Sequence, residues 1–205
     1  MTREEQKKLK ELKQALPKLL KDNIKKYKLK KKDFMIWDSK KGLFFDLLID
    51  VRVLPDGKCY CLSSEKIKPL WLDDLLWDLL KMESNKDQPL SLRAVGAFTV
   101  SGSEIFKDQT ELTEWSMDEL TETIDTYLEH FYKSVQTSEI DDFYNNLTAS
   151  TYHSELRKIL SLVYKNQYQE ALDDLSEMSS SNFKNGDISI NDAIREYCEN
   201  QLLLG

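Results

Sequence analysis

Alternating side chains over residues 45–53 constrain the fold of this chain more than any other feature. One face of a strand over these residues would carry Phe45, Leu47, Ile49, Val51 and Val53. The opposite face would be mostly polar, which is typical of a half-buried strand. Residues 55–57 read Pro-Asp-Gly, a turn signal because proline fixes φ and glycine tolerates positive φ. The segment predicts a β-hairpin whose return strand covers residues 58–62.

Neighbouring segments extend this hairpin into a sheet. Residues 34–37 predict a short strand before it, residues 92–100 predict a fourth strand, and residues 101–114 read as irregular. Helical spacing of apolar residues predicts three helices on one side of the sheet, over residues 3–27, 69–82 and 117–135. We therefore expect an α+β fold, with a small antiparallel sheet of about four strands flanked by helices.

The last third of the chain is predicted to be helical. Apolar residues recur at helical spacing over residues 152–164, 168–178 and about 190–203. A soft boundary follows the long helix that ends near residue 135. We divide the chain into an α+β domain, residues 1–138, which contains the N-terminal basic helix and the meander, and a C-terminal helical subdomain, residues 139–205.

Composition excludes several classes of protein. A hydrophobic content of 40% excludes wholesale disorder, and 6 glycines with 4 prolines argue against a many-turned β-sandwich. Three cysteines are an odd number for a disulfide framework. The sequence shows neither an apolar signal core nor a stretch long enough to span a bilayer. We expect a cytoplasmic protein without a transmembrane segment.

Charge is divided unevenly along the chain. Residues 1–41 hold fifteen Lys/Arg and six Asp/Glu, a net charge of +9, whereas the rest holds fourteen and thirty, a net charge of −16. The two parts can neutralise each other within one fold, or each can face a different partner.

One alternative function uses the basic part as an adaptor for nucleic acid or an anionic membrane. Its contact residues would be the patch Lys25, Lys26, Lys28, Lys30, Lys31 and Lys32. Nucleic acid is not the favoured partner, because the patch lacks arginine and interleaved aromatic residues, and because the acidic remainder would repel DNA.

An acidic, aromatic segment lies on the predicted helix 69–82. Leucines form its buried stripe, so the aspartates and at least one tryptophan would face elsewhere. Acidic residues beside an aromatic anchor are typical of a surface that binds a basic protein. The candidate partner-binding residues are Asp73, Asp74, Trp77 and Asp78. The blander interpretation is a helix that packs on the sheet with a solvated outer face.

No residue constellation for a known chemistry accompanies these surfaces, so we name no catalytic residue, metal site or cofactor. Cys59 and Cys61 lie two apart on one strand, a poor geometry for a disulfide, and are interpreted as buried thiols. Whether the chain is an enzyme stays open. The enzyme alternative is a metal-dependent hydrolase using Asp46, Asp50 and Glu65, which would have to converge in a concave pocket.

Two segments carry a resemblance to a known type of protein. The stretches KKKDFMIWDSKKG (30–42) and KPLWLDDLLWDLL (68–80), within residues 10–135, resemble small bacterial proteins of unknown function of the toxin-immunity type. The resemblance implies an acidic, cytosolic, non-catalytic protein and transfers no catalytic residue. We therefore expect a cytosolic bacterial interaction module that binds a basic protein partner, such as a toxin, through an acidic surface. The sequence predicts no oligomeric state.

Overall fold

The chain folds around a five-stranded antiparallel sheet, in a computed structural model that describes residues 1–147, 153–178 and 183–204. The strands are β1 (Lys30–Lys32), β2 (Met35–Lys40), β3 (Leu43–Val53), β4 (Cys59–Pro69) and β5 (Ser103–Glu111). They follow one another in space in the same order as in the sequence. A small second sheet pairs β6 (Lys184–Asn185) with β7 (Ile188–Ser189).

Helices make up most of the remaining described residues, which confirms the α+β class. They are α1 (Arg3–Asn23), α2 (Leu70–Leu79), α3 (Leu92–Val95), α4 (Met117–Thr137), α5 (Ile140–Asn145), α6 (Ser154–Tyr164), α7 (Tyr168–Glu177) and α8 (Ile190–Leu204). The helix predicted over residues 152–164 is observed as α6, while residue 152 itself lies outside the described residues. Among the helices of the described ranges, none combines the length and apolar content needed to cross a bilayer.

The predicted hairpin is present and longer than expected, since β3 and β4 have 11 residues each. At its turn the Leu54 N–H donates to the Lys58 carbonyl over 3.1 Å, and the Gly57 N–H donates to the Leu54 carbonyl over 2.9 Å. Gly57 has a φ of +82°, which glycine adopts without the steric cost that a side chain brings. The Pro-Asp-Gly sequence therefore sets the register of the two central strands.

One face of the sheet packs against α1 and α4. The face carries the alternating apolar side chains of β3, including Leu47, which is fully buried. Facing them on α4 are Ile124 and Phe131, also fully buried. Removing each such side chain from water contributes about 1.5–3 kcal/mol. The Tyr127 hydroxyl donates to the Cys61 carbonyl over 3.1 Å and fixes α4 against β4.

The prediction that all three flanking helices lie on one side is wrong for α2. Successive side chains of β4 alternate in direction, so Lys68 points away from the face that Glu65 shares with α4. Lys68 instead binds Asp73 of α2. The helices α6 and α8 then pack against α2. The C-terminal helices therefore lie on the side of the molecule that α2 occupies.

The predicted fourth strand is also wrong. Residues 92–95 form α3, and the strand is β5, which lies in the stretch read as irregular. The segment 92–100 contains Ala94, Gly96 and Ala97, which favour strands weakly. β5 is an edge strand with exposed Lys107, so its polar side chains conceal the alternation that buried strands show.

At the opposite edge the sheet gains a strand that the sequence did not predict. The helix expected to reach residue 27 ends at Asn23, and Lys28 takes a left-handed φ of +57°. The chain then turns into β1, which consists of three lysines paired with β2. Pro17 lies within α1 without ending it.

A single hydrophobic cluster extends from Leu12 to Cys198, across the predicted boundary between the two parts of the chain. Trp71 of α2 stacks on Tyr164 of α6, with ring centroids 3.9 Å apart. It also meets Phe143 of α5 edge-on, with centroids 6.2 Å apart. The C-terminal helices are thus packed onto the body of the protein through α2.

A buried ion network joins β4 to α2 and to the segment around α3. The Lys68 ammonium lies 2.8 Å from Oδ2 of Asp73, and both side chains are almost completely buried. Asp73 also accepts a hydrogen bond from the Val100 N–H over 2.9 Å, and its Oδ2 lies 3.4 Å from Nη1 of Arg93. Lys68 donates to the carbonyls of Arg93 and Val100 over 3.0 and 2.8 Å. These contacts compensate the cost of burying the charges.

Replacing Asp73 with alanine should lower the free energy of unfolding by about 3–5 kcal/mol, because Lys68 would remain buried without its counter-charge. The matched control is Asp78→Ala on the exposed side of the same helix, which should cost less than about 1 kcal/mol. Urea unfolding followed by tryptophan fluorescence measures both variants. Equal stability of the two variants would contradict the importance of the network.

Candidate functional site

The four residues predicted to bind a partner occupy two different environments. Asp73 belongs to the buried ion network, and Trp77 is 1% exposed. The Trp77 indole N–H donates to the Phe98 carbonyl over 2.6 Å, and the Arg93 guanidinium lies 4.7 Å from the Trp77 ring centroid. The structure therefore corrects the expectation that Asp73 and Trp77 form part of a surface.

Asp74 and Asp78 lie closer to solvent. Asp74 is half-buried, with its carboxylate 2.6 Å from Nη2 of Arg93. Asp78 is exposed and forms an ion pair with Lys86 over 2.5 Å. Of the four predicted contact residues, Asp78 is the one whose carboxylate is exposed and not tied to the buried network.

Negative charge is concentrated on α7, α8 and the segment between them, a region that the sequence did not single out. Residues 168–204 hold eight Asp/Glu and two Lys/Arg, a net charge of −6 out of the −16 that residues 42–205 carry. The eight acidic residues are Glu170, Asp173, Asp174, Glu177, Asp187, Asp192, Glu196 and Glu199. All except Asp174 are exposed. We call this part of the surface the acidic α7–α8 surface.

A groove of about 320 Å³ lies between α2 and α8, at the border of the acidic α7–α8 surface. Its apolar and aromatic lining residues are Leu75, Leu79, Ile188, Ala193 and Tyr197. Two carboxylates, Asp78 and Glu196, lie beside this lining, together with Lys81. Tyr197 is 37% exposed and offers an aromatic ring with a polar tip. The groove combines the apolar anchor and the acidic charge that the sequence had placed at Asp73 and Trp77.

The carboxylates of the hydrolase alternative do not converge. Asp46 and Asp50 lie on one face of β3, whereas Glu65 pairs with Leu47 and points to the other face. Glu65 is fully buried, accepts from the Ser134 hydroxyl over 2.9 Å and lies 2.7 Å from Nδ1 of His130. The three groups cannot share one metal ion. Within the described ranges, no three His, Cys, Asp or Glu side chains are grouped as metal ligands.

Two sheet carboxylates nevertheless have perturbed acidity. Burial raises the pKa of Asp46 from 3.8 to about 6, while Lys68 and Lys66 oppose the rise. Burial also raises the pKa of Glu65, which hydrogen bonds from His130 and Ser134 counteract. Since these groups lie on opposite faces of the sheet, each perturbation is a local effect of burial.

The three cysteines are free, buried thiols, in agreement with the sequence interpretation for Cys59 and Cys61. Burial raises the pKa of Cys59 to about 11 and that of Cys61 to about 12. Burial likewise raises the pKa of Cys198 to about 11. A thiol is nucleophilic as its thiolate, so these side chains are unreactive near neutral pH.

The six lysines of the predicted basic patch are divided by their contacts. Three form ion pairs: Lys25 with Asp22 at 3.4 Å, Lys26 with Asp125 at 2.7 Å, and Lys30 with Asp38 at 2.9 Å. Lys31 donates to the carbonyl of Asp33, while Lys28 and Lys32 are exposed. Part of the N-terminal charge is thus neutralised within the fold. The carboxylate that neutralises Lys26 belongs to α4 and not to the acidic α7–α8 surface.

Replacing Asp46 with asparagine should raise the free energy of unfolding at pH 7 by up to about 3 kcal/mol, because a shift of about two pKa units separates the folded and unfolded carboxyl. The folded pKa is the higher one, so the contribution of Asp46 to stability is present below about pH 4. It is lost as the pH rises to about 6.

The Asp46 variant should therefore show a flatter dependence of stability on pH between about pH 4 and pH 6. Denaturant midpoints measured across this range test the expectation. Asp50→Asn, a half-buried position on the same face, serves as the control for removing a carboxylate from this strand. An Asp46 variant with an unchanged pH profile would show that this carboxyl is not perturbed.

Comparisons with protein-family models, with curated proteins and with solved structures find no match for this chain. The functional assignment therefore depends on the chain's own surfaces. Among these surfaces, the groove between α2 and α8 joins an apolar and aromatic lining to the acidic α7–α8 surface.

Proposed function

We propose that the chain is a non-catalytic protein-interaction module that binds a basic protein partner through its acidic α7–α8 surface. The groove between α2 and α8 serves as the anchor point. The observation that carries the proposal is the placement of Asp78 and Glu196 beside an apolar groove that contains Tyr197.

The two features of the groove act at different stages of binding. The concentrated negative charge attracts a basic partner and orients it during encounter. An apolar side chain of the partner then enters the groove, where its desolvation supplies most of the affinity. Once water is excluded, Asp78 and Glu196 bind lysine or arginine side chains more strongly than a fully exposed carboxylate does.

An immunity-like function is the specific form of this proposal that the sequence resemblance suggests. In that form the protein acts in the bacterial cytoplasm, and the basic partner is a toxin that the acidic surface covers. Two tests then become available: protection of cells that express the toxin, and direct binding of the purified proteins.

Changing Asp78 and Glu196 together to lysine should weaken partner binding by about tenfold or more, which corresponds to about 1.4 kcal/mol. The measurement is retention of a basic protein by the tagged chain from a lysate of the source cells. Titration of the identified partner at low and high salt then follows. High salt should weaken wild-type binding, because it screens exposed charges.

The matched control is Asp118→Lys with Glu122→Lys, which changes the net charge equally on exposed positions of α4, outside both the groove and the acidic α7–α8 surface. This control should reduce affinity much less than the groove variant. Equal losses for the two variants would mean that net charge alone drives binding. Unchanged binding of the groove variant would overturn the assignment of the site.

A further inference from the structure

A second apolar pocket lies in the basic part of the molecule, between α1 and the turn that joins β1 to β2. Its volume is about 330 Å³, and its apolar lining comes from Leu16, Pro17 and Leu20 of α1, Phe34 of the turn and Ile49 of β3. We call it the α1 pocket. It is large enough to receive big apolar side chains from a partner.

Phe34 marks this pocket as a contact surface. Its side chain is 62% exposed at the tip of the turn, next to Asp33, whose φ is +51°. A large exposed aromatic residue beside an open apolar pocket is typical of a surface that is covered in a complex.

Lysines surround the α1 pocket and restrict what can occupy it. Lys13 and Lys21 lie four residues before and after Pro17, so all three share one ridge of α1, and both lysines are exposed. Lys31 lines the pocket together with one acidic residue, Asp33, and exposed Lys32 precedes the turn, so positive charge predominates around the pocket. A matching occupant therefore carries apolar side chains next to acidic ones.

The C-terminal end of α8 has this chemistry. Leu203 and Leu204 are 85% and 83% exposed and, with Leu202 at 46%, form a continuous apolar surface. Glu199 is exposed and lies four residues before Leu203, on the same side of the helix. The exposed end thus presents leucines and a carboxylate to a pocket that offers apolar surface and lysines.

Within one copy these two surfaces belong to different parts of the fold. α1 packs on α4 and β3, whereas α8 packs on α7 and α2. The leucines are exposed and the pocket is open in the folded chain. A contact between them therefore joins two copies.

We infer that the end of α8 of one copy docks into the α1 pocket of a second copy. The interface uses a different patch on each copy and is therefore heterologous. Such an interface repeats from copy to copy, and it yields a closed ring or an open chain depending on the rotation between neighbours. The inference does not depend on the proposed function, since Leu203 and Leu204 do not line the groove between α2 and α8.

Sedimentation velocity of the purified chain over a range of concentrations tests the inference. The average mass should rise with concentration at low salt and fall when salt is added, because lysine–carboxylate contacts are screened. Two variants should each remain monomeric. F34E alters the pocket, and L203E/L204E alters the occupant. All three positions are exposed, so both variants should keep the wild-type circular dichroism.

Mixing the two variants provides the decisive result. F34E retains an intact α8 end and L203E/L204E retains an intact pocket, so an equimolar mixture should form dimers and stop there. The control is M117E, an exposed apolar position at the start of α4, which should assemble like the wild type.

Three outcomes would overturn the inference. The first is a wild-type chain that stays monomeric at every concentration. The second is a mixture of the two variants that forms no dimer. The third is binding of the monomeric wild type to phosphatidylserine vesicles, lost in F34E but kept in L203E/L204E, which would assign the α1 pocket to an anionic membrane.

Discussion

The buried contact between Lys68 and Asp73 is the interaction on which the arrangement of this protein depends. It attaches α2 to the face of the sheet that α1 and α4 leave free, with 2.8 Å between the ammonium and the carboxylate. α6 and α8 pack on α2 in turn. The position of α2, which forms one wall of the groove, therefore depends on a charge pair that is almost completely buried. An interior ion pair thus supports the helix that forms one wall of the proposed binding groove.

Separation of charge is the second organising feature. The N-terminal arm meets carboxylates of the middle of the chain, with Lys26 bound to Asp125 and Lys41 lying 2.6 Å from Glu139. Because Lys26 and Lys41 pair with these carboxylates, neither lysine neutralises the acidic α7–α8 surface. The fold thus leaves a basic region around α1 and an acidic region around α8. Molecules with two such regions are suited to oriented contacts, since each region attracts a different chemistry.

The sequence predicted those helices and strands in which apolar residues recur at the spacing of one buried face. The β3–β4 hairpin, α1, α4 and the C-terminal helices were found in this way, because each buries one continuous face. β5 was missed since an edge strand with an open face has little apolar pattern. Asp73 and Trp77 were misplaced because α2 is covered on several sides, and its burial depends on Lys68 and Arg93, which only the tertiary structure brings together. Apolar residues surround the axis of α2 on most sides, and this pattern was the available sequence signal that the helix is buried.

The two edges of the sheet have a consequence for how copies can meet. β1 is only three residues long and consists of lysines, so β1 of a second copy that paired there would place lysines opposite lysines. At the far side β5 presents charged residues beside its unpaired edge. Growth of a continuous cross-β stack is therefore disfavoured at both ends of the sheet. The assembly that we infer uses neither edge, because it joins the end of α8 to the α1 pocket.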